Sequence, residues 1–125
     1  MFRIYDDMTI HITRGDIGVI DVRANKNENE LYTFQPYDIV RLRVFTKKRH
    51  EDVVLSKDVT IESETQLVTI QLDREDTKIG ELINKPVEYW YEVELNPDRF
   101  PQTFIGYDEN GPKRFMLYPE GGEIV

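Results

Sequence analysis

The residue types that most often carry enzymatic chemistry are scarce in this chain of 125 residues. It has two histidines, His11 and His50, two serines, Ser56 and Ser63, and no cysteine. The sequence contains no Gly-x-Ser-x-Gly elbow, no glycine-rich phosphate loop and no His-Glu-x-x-His pair. Because a catalytic site needs several titratable groups that converge, we predict that the protein is not an enzyme, has no catalytic residues and uses no cofactor.

Two acidic segments contain the oxygen-bearing side chains that bind calcium. Residues 73–76 include three carboxylates, and residues 108–111 match a fragment of a calcium loop. A proline and two cations follow Gly111, where a calcium loop requires further oxygen ligands. We therefore predict no metal site. Asp73 is expected to cap one short helical turn from Asp73 to Lys78, and residues 108–111 are expected to form a hairpin turn.

The tripeptide Arg14-Gly15-Asp16 matches the motif that integrins read in some ligands. A match of three residues is common by chance, and a glycine between charged residues is typical of a tight turn. We therefore expect a turn between two strands at this position.

One segment places a tryptophan among acidic residues. Residues 87–95 alternate between apolar and polar side chains, which is the period of a half-buried strand. The face predicted to lie in the core consists of Val87, Tyr89, Tyr91, Val93 and Leu95. Trp90 falls on the opposite face with Glu88, Glu92 and Glu94. Three explanations remain open for this ring: cover by loops of the chain itself, a subunit interface, or a ligand site. We take Trp90 as the leading interface candidate, with Phe104 and Tyr118 as further candidates for the same role.

The elements that would position these side chains are strands. Val40, Leu42 and Val44 alternate with arginines, residues 68–72 alternate in the same way, and Ala24 is the only alanine. Scarce alanine and abundant β-branched residues favour strands over helices. About eight short strands at hairpin spacing are typical of a β-sandwich or a barrel. We predict an all-β antiparallel fold in a single domain over residues 1–125.

Charge and hydropathy limit the kinds of partner that the protein is expected to bind. The formal net charge is −8 and the pI is about 4.8, so the chain is expected to repel phosphate backbones. The basic cluster at residues 47–50 is interpreted as a solvated turn, not a nucleic-acid site. No apolar run approaches the roughly 20 residues of a membrane span, and acids interrupt the first residues, so we predict neither a membrane span nor a secretory signal. The lack of cysteine fits synthesis in a reducing cytoplasm.

Four segments of the sequence resemble the N-terminal domain of phage baseplate upper proteins. The chain is also similar to small immunoglobulin-like virion proteins of tailed phages and prophages. The similarity runs from about Thr9 to about Tyr118 and includes the start Thr13-Arg14-Gly15-Asp16. The segments that carry it are Asp58-Val59-Thr60-Ile61, residues 67–77 (Leu-Val-Thr-Ile-Gln-Leu-Asp-Arg-Glu-Asp-Thr), residues 89–95 (Tyr-Trp-Tyr-Glu-Val-Glu-Leu) and Thr103-Phe104-Ile105-Gly106.

This resemblance implies a β-sandwich of immunoglobulin-like or related topology, used as an assembly module without catalysis. It implies a virion protein made in the bacterial cytoplasm, with other phage tail or baseplate proteins as partners and homo-oligomers as the expected state. Because the chain lacks the receptor-binding-protein docking region of baseplate upper proteins, a tail, fibre or capsid accessory protein is an equal expectation. The rival hypothesis is a carbohydrate-binding module that stacks sugars on Trp90.

Overall fold

A computed structural model of the chain describes residues 1–5, 7–46 and 52–121. Within them the chain forms eleven strands and one short helix. The elements are β1 (Phe2–Ile4), β2 (Ile10–Thr13), β3 (Gly18–Val22), β4 (Asn25–Asn27), β5 (Glu30–Leu31), β6 (Ile39–Thr46), β7 (Val53–Thr60), β8 (Val68–Leu72), α1 (Arg74–Thr77), β9 (Val87–Leu95), β10 (Gln102–Ile105) and β11 (Lys113–Tyr118). The prediction of an all-β fold is confirmed.

The larger sheet has seven strands in the order β1-β2-β11-β9-β6-β7, and β10 also pairs with β9. β9 lies in the middle, with β6 along one side and β11 and β10 along the other. All pairs in this sheet are antiparallel except β2 and β11, which run parallel. The long central strand therefore determines where the side chains of its neighbours lie.

A second, two-stranded sheet packs the core from the other side. β3 pairs with β8 in unbroken antiparallel register from Gly18↔Leu72 to Val22↔Val68. Buried side chains of β3 and β8 belong to the same hydrophobic cluster as those of the larger sheet. Both strands alternate between buried and exposed positions, as an apolar face against a core requires. The arrangement is sandwich-like, as predicted.

The helical turn occurs where it was predicted. α1 spans four residues, and the backbone N–H of Asp73 donates to Asp76 Oδ2 at 2.8 Å, as in one half of a capping box. Thr77 is fully buried, and its hydroxyl accepts from the Gly15 N–H at 2.9 Å and donates to the Asp16 carbonyl at 2.9 Å. The helix therefore holds the turn between β2 and β3 in place.

The prediction of about eight strands was too low. The additional strands are short: β1, β4 and β5 have two or three residues each, and β4 is exposed throughout. β4 and β5 are strands only because their backbones pair with each other. Neither strand has an apolar face, so the sequence shows no alternation there.

The predicted hairpin at residues 108–111 is a turn, but not one that joins paired strands. Asp108 and Gly111 exchange both backbone hydrogen bonds, and Gly111 has the positive φ of 92° expected in such a turn. β10 pairs with the C-terminal part of β9 and β11 with its N-terminal part. The segment 106–112 therefore interrupts a single edge that runs along β9, because both flanking strands share one partner.

Candidate functional site

Trp90 lies on the outward face of the larger sheet, as the alternation of β9 predicts. It is half-buried, with Phe45 of β6 opposite on one side and Arg114 of β11 on the other. A notch of about 50 Å³ opens beside it, partly walled by Tyr107 and Pro112 of the segment 106–112. Loops of the chain itself therefore cover part of the ring, which was one of the three explanations left open.

The indole N–H of Trp90 is buried and has no hydrogen-bond acceptor among the residues that the structure describes. An unpaired buried donor costs about 1–3 kcal/mol relative to a hydrogen-bonded one. The same residue lines the notch, whose volume of about 50 Å³ is enough for a water molecule.

Arginines and glutamates surround Trp90 in cross-strand ion pairs. Arg43 donates to Glu92 at 2.8 Å and also pairs with Glu94, and its guanidinium lies 5.3 Å from the centre of the Phe45 ring. Arg114 pairs with Glu88 at 3.2 Å. We call this surface the Trp90 face and define it by Arg43, Phe45, Trp90, Glu92 and Glu94. Both carboxylates of this face pair with the same guanidinium, that of Arg43, so the protein already places a cation between them.

Phe104 does not share the surface of Trp90. Its ring lies 5.9 Å from that of fully buried Phe34, and the side chain packs against the hydrophobic core. Tyr118 does lie on the outward side of β11, but four residues beyond Arg114, or about 13 Å along an extended strand. Its hydroxyl is 2.7 Å from His11 Nδ1, and the ring of Tyr5 lies 4.2 Å from that histidine. The three predicted interface residues thus occupy three different environments.

Two exposed aromatic side chains at one end of the sandwich were missed by the sequence analysis. Tyr37, before β6, is 82% exposed, and Phe100, between β9 and β10, is 83% exposed. Tyr37 has a left-handed backbone with φ of 74°, which is uncommon for a bulky residue. The only sequence signal is proline next to each ring, at Pro36 and Pro101. Neither residue lies in an alternating segment, so periodicity gave no reason to single them out.

A buried carboxylate connects the two loops that carry these rings. Asp38 accepts hydrogen bonds from the Tyr32 hydroxyl at 2.7 Å, the Gln35 N–H at 2.9 Å and the Asn96 amide at 3.1 Å. Arg99 approaches it to 3.8 Å. We call this region the Tyr37 end and define it by Tyr37, Asp38, Asn96, Arg99 and Phe100.

Protonation at the Tyr37 end follows from these contacts. Burial opposes ionisation of Asp38, but hydrogen bonds from Gln35, Asn96 and Tyr32 outweigh it and hold the carboxyl pKa below its usual value. Burial and the hydrogen bond to Asp38 raise the pKa of Tyr32 to about 12. The anion therefore persists across the neutral range and fixes the geometry of both loops.

The acidic segments weighed as calcium sites are occupied by cations of the protein. Lys57 Nζ lies 2.8 Å from Asp76 and 3.4 Å from Asp73, and Lys113 Nζ lies 2.8 Å from Asp108. Hydrogen bonding to Lys113 lowers the pKa of Asp108. Among the described residues no group of three or more His, Cys, Asp and Glu side chains is placed to hold a metal ion.

The Arg-Gly-Asp tripeptide is a turn whose arginine points inward. Arg14 is 9% exposed, and its guanidinium donates to the Gly80 carbonyl at 3.0 Å. Gly15 has a φ of 87°, so the turn requires its conformational freedom. A recognition motif must be displayed, and this arginine is not.

The basic cluster at residues 47–50 lies outside the described residues. No helix in residues 1–5, 7–46 and 52–121 combines the length and the apolar composition needed to cross a membrane. A comparison with protein-family models gave no match, and neither did a comparison with curated protein sequences.

Proposed function

We propose that this protein is a non-enzymatic structural or assembly component of a phage or prophage virion and acts through protein–protein contacts in the tail, baseplate or fibre. The observation that carries the proposal is the strand order of the sandwich. β2, β11, β9, β6 and β7 form one sheet, and β3 and β8 face it. This order supports the topology expected from the resemblance to phage proteins.

The topology that we infer is immunoglobulin-like. In the variable type of that fold, strands G, F, C and C′ lie in one sheet and strands B and E in the other. Here β11, β9, β6 and β7 take the first set of places and β3 and β8 the second, with β2 parallel to β11 at the edge. The short helix α1 then falls between strands E and F. Under this assignment the Tyr37 end carries the B–C and F–G loops, which bind antigen in antibody variable domains.

Partners follow from the same inference. A sandwich of this kind offers loops and sheet edges to other proteins, and we expect other tail or baseplate proteins, or further copies of the chain, to bind there. We expect no catalysis, no nucleic acid and no membrane in this role. The place of action would be the virion, after synthesis in the bacterial cytoplasm.

Proteomics of purified particles tests the proposal. Particles are induced from the bacterium that carries the gene, purified on a density gradient and analysed by quantitative mass spectrometry. Peptides of this chain should co-enrich with the major tail proteins, while an abundant cytoplasmic enzyme, measured as a control, should not. The proposal is wrong if complete particles contain every other structural protein and lack this chain.

One observation favours the alternative, a carbohydrate-binding module. Trp90 and the 77% exposed Tyr107 line the same notch, so a sugar that reached it would meet two aromatic rings. A glycan array on the native protein tests this alternative. Trp90→Ala removes the stacking ring, so it should abolish binding while the variant stays folded. An array with no bound glycan rejects the alternative.

A further inference from the structure

The Tyr37 end presents the two most exposed large aromatic side chains among the described residues, Phe100 and Tyr37. Exposed apolar side chains gathered at one place mark a contact surface more often than isolated ones do. Their loops are held in place because Asp38 accepts hydrogen bonds from both neighbouring segments, and the Ile39 N–H donates to Asn96 Oδ1 at 2.9 Å. Rings on fixed loops lose little conformational entropy on binding, which favours a role in contacts.

Charges of opposite sign flank the rings on opposite sides. On one side, the Tyr37 N–H donates to the Ile61 carbonyl and the Ile61 N–H to the Asp38 carbonyl, both at 2.9 Å. The exposed carboxylates of Glu62 and Glu64 follow directly in this segment. On the other side, past Asn96, lies Arg99, whose side chain is 60% exposed and approaches buried Asp38 to 3.8 Å, while the neighbouring carboxylate of Asp98 pairs with Arg41 at 3.1 Å. The order across this end is thus carboxylates, Tyr37, then Arg99 with Phe100.

We propose that the Tyr37 end binds a second copy of this chain in a two-fold symmetric contact centred on Tyr37. The two-fold axis runs through Tyr37, perpendicular to the line from the carboxylates to Arg99, so Glu62 and Glu64 face Arg99 of the second copy. The four rings, Tyr37 and Phe100 from each copy, form the apolar centre of the contact. The inference rests on the proposed function only in taking protein contact as the mode of action.

Charge complementarity is the reason to choose a second copy as the occupant. A chain of net charge −8 repels copies of itself, so self-association needs a surface where opposite charges meet locally. Two carboxylates on one side of an apolar centre and an arginine on the other provide that arrangement, because a two-fold axis perpendicular to the line between them pairs the unlike sides. A different protein as partner would not require that one copy of this chain carry both acidic and basic groups beside the rings.

Sedimentation velocity over a concentration series tests the contact on the full chain. The wild-type protein should pass from monomer to dimer as its concentration rises. Tyr37→Asn and Phe100→Ser should each weaken dimerisation at least about tenfold, as residues central to an interface do. Asparagine accepts the left-handed backbone of position 37, so this variant should fold normally. Tyr107→Ser, an exposed ring outside the Tyr37 end, is the matched control and should leave the dimer unchanged.

A charge exchange distinguishes the two-fold contact from non-specific association. Arg99→Glu alone, and Glu62→Lys with Glu64→Lys in a second variant, should each remain monomeric because like charges then meet. Mixing the two variants should restore a dimer, since both flanks of the mixed pair are again complementary. The inference is overturned if the wild-type chain stays monomeric at every concentration, if Tyr37→Asn and Phe100→Ser dimerise as the wild type does, or if the mixture stays monomeric. Each of these results leaves the particle measurement to decide the proposed function separately.

Discussion

The Trp90 face and the Tyr37 end both combine aromatic rings with charges, but they differ in what pairs those charges. On the Trp90 face, strand register sets Arg43 opposite Glu92, and the ion pairs form between neighbouring strands of the same sheet. At the Tyr37 end, Glu62 and Glu64 lie in a loop, exposed to solvent. Strand register pairs the charges of the Trp90 face within the sheet, whereas Glu62 and Glu64 lie outside any strand register and face solvent.

The two regions also differ in how their rings are supported. Phe45 is buried and Trp90 half-buried, so both contribute to packing. Tyr37 and Phe100 are displayed, and the support lies beneath them in the hydrogen bonds of Asp38. Substitutions on the Trp90 face should therefore change mainly the free energy of unfolding. At the Tyr37 end, substitutions of the rings should change binding, and substitutions of Asp38 should change the free energy of unfolding.

Removing the support of the Tyr37 end should have the largest effect on stability. Asp38→Ala deletes the acceptor of three hydrogen bonds and should lower the free energy of unfolding by about 2–4 kcal/mol, since hydrogen bonds to a buried charge are strong. Urea denaturation measures the loss. Tyr32→Phe removes one of the three donors and is the control, with a smaller expected loss. Equal losses in the two variants would show that the carboxylate supports only Tyr32.

Breaking the central ion pair of the Trp90 face should have the next largest effect. Arg43→Met keeps the aliphatic stem and leaves Glu92 and Glu94 side by side, both largely buried. We expect a loss of about 2 kcal/mol, below that of a fully buried pair because Arg43 is partly exposed. Arg41→Met is the matched control: its partners Asp58 and Asp98 are exposed, so it should cost about 1 kcal/mol or less. Restoring stability by adding Glu94→Gln to Arg43→Met would confirm that the unpaired carboxylate causes the loss.

Acid should weaken the Tyr37 end. The folded-state pKa of Asp38 lies below that of the unfolded chain, so its stabilisation is complete above the unfolded pKa of about 4 and is lost as pH falls through the lower folded-state value. In Asp38→Asn the free energy of unfolding should therefore fall less steeply on acidification than in the wild type. On the sheet, hydrogen bonding to Arg41 also lowers the pKa of Asp58, which is far more exposed. Asp58→Asn should change the pH dependence of the free energy of unfolding less than Asp38→Asn does. A larger change in Asp58→Asn would show that Asp58 contributes more to acid sensitivity than Asp38.

Strands with one buried face could be predicted from the sequence. In β6, β8 and β9 the apolar residues recur at every second position, because a pleated strand against a core requires it. The cap at Asp73 was also predictable, since its hydrogen bonds are local in the chain. The pairing of β10 and β11 with β9 was not, because the turn at residues 108–111 has the same local residues whether or not it joins paired strands.

For the candidate site, too, local patterns were predictable and contacts between distant residues were not. The position of Trp90 on the outer face follows from alternation, and that prediction is confirmed. The inward packing of Phe104 against Phe34 depends on a contact between residues 70 positions apart in the chain, which no local pattern reports. Tyr37 and Phe100 were missed because loops carry no period, and the hydrogen bond that joins their loops connects Asp38 with Asn96, 58 positions away in the chain.

The smallest expected effect on stability is also the sharpest comparison of the two regions. Tyr37→Asn should change the free energy of unfolding by no more than about 0.5 kcal/mol, because the lost ring is 82% exposed and asparagine suits a positive φ. Trp90→Ser removes a half-buried ring and should cost about 1–2 kcal/mol in the same urea assay. The monomeric state must be measured, at a concentration below dimerisation, since a dimer would stabilise the wild type and Trp90→Ser more than Tyr37→Asn. Equal costs for the two variants would mean that Tyr37 packs as Trp90 does, and a ring that packs within its own chain is not displayed for a second copy.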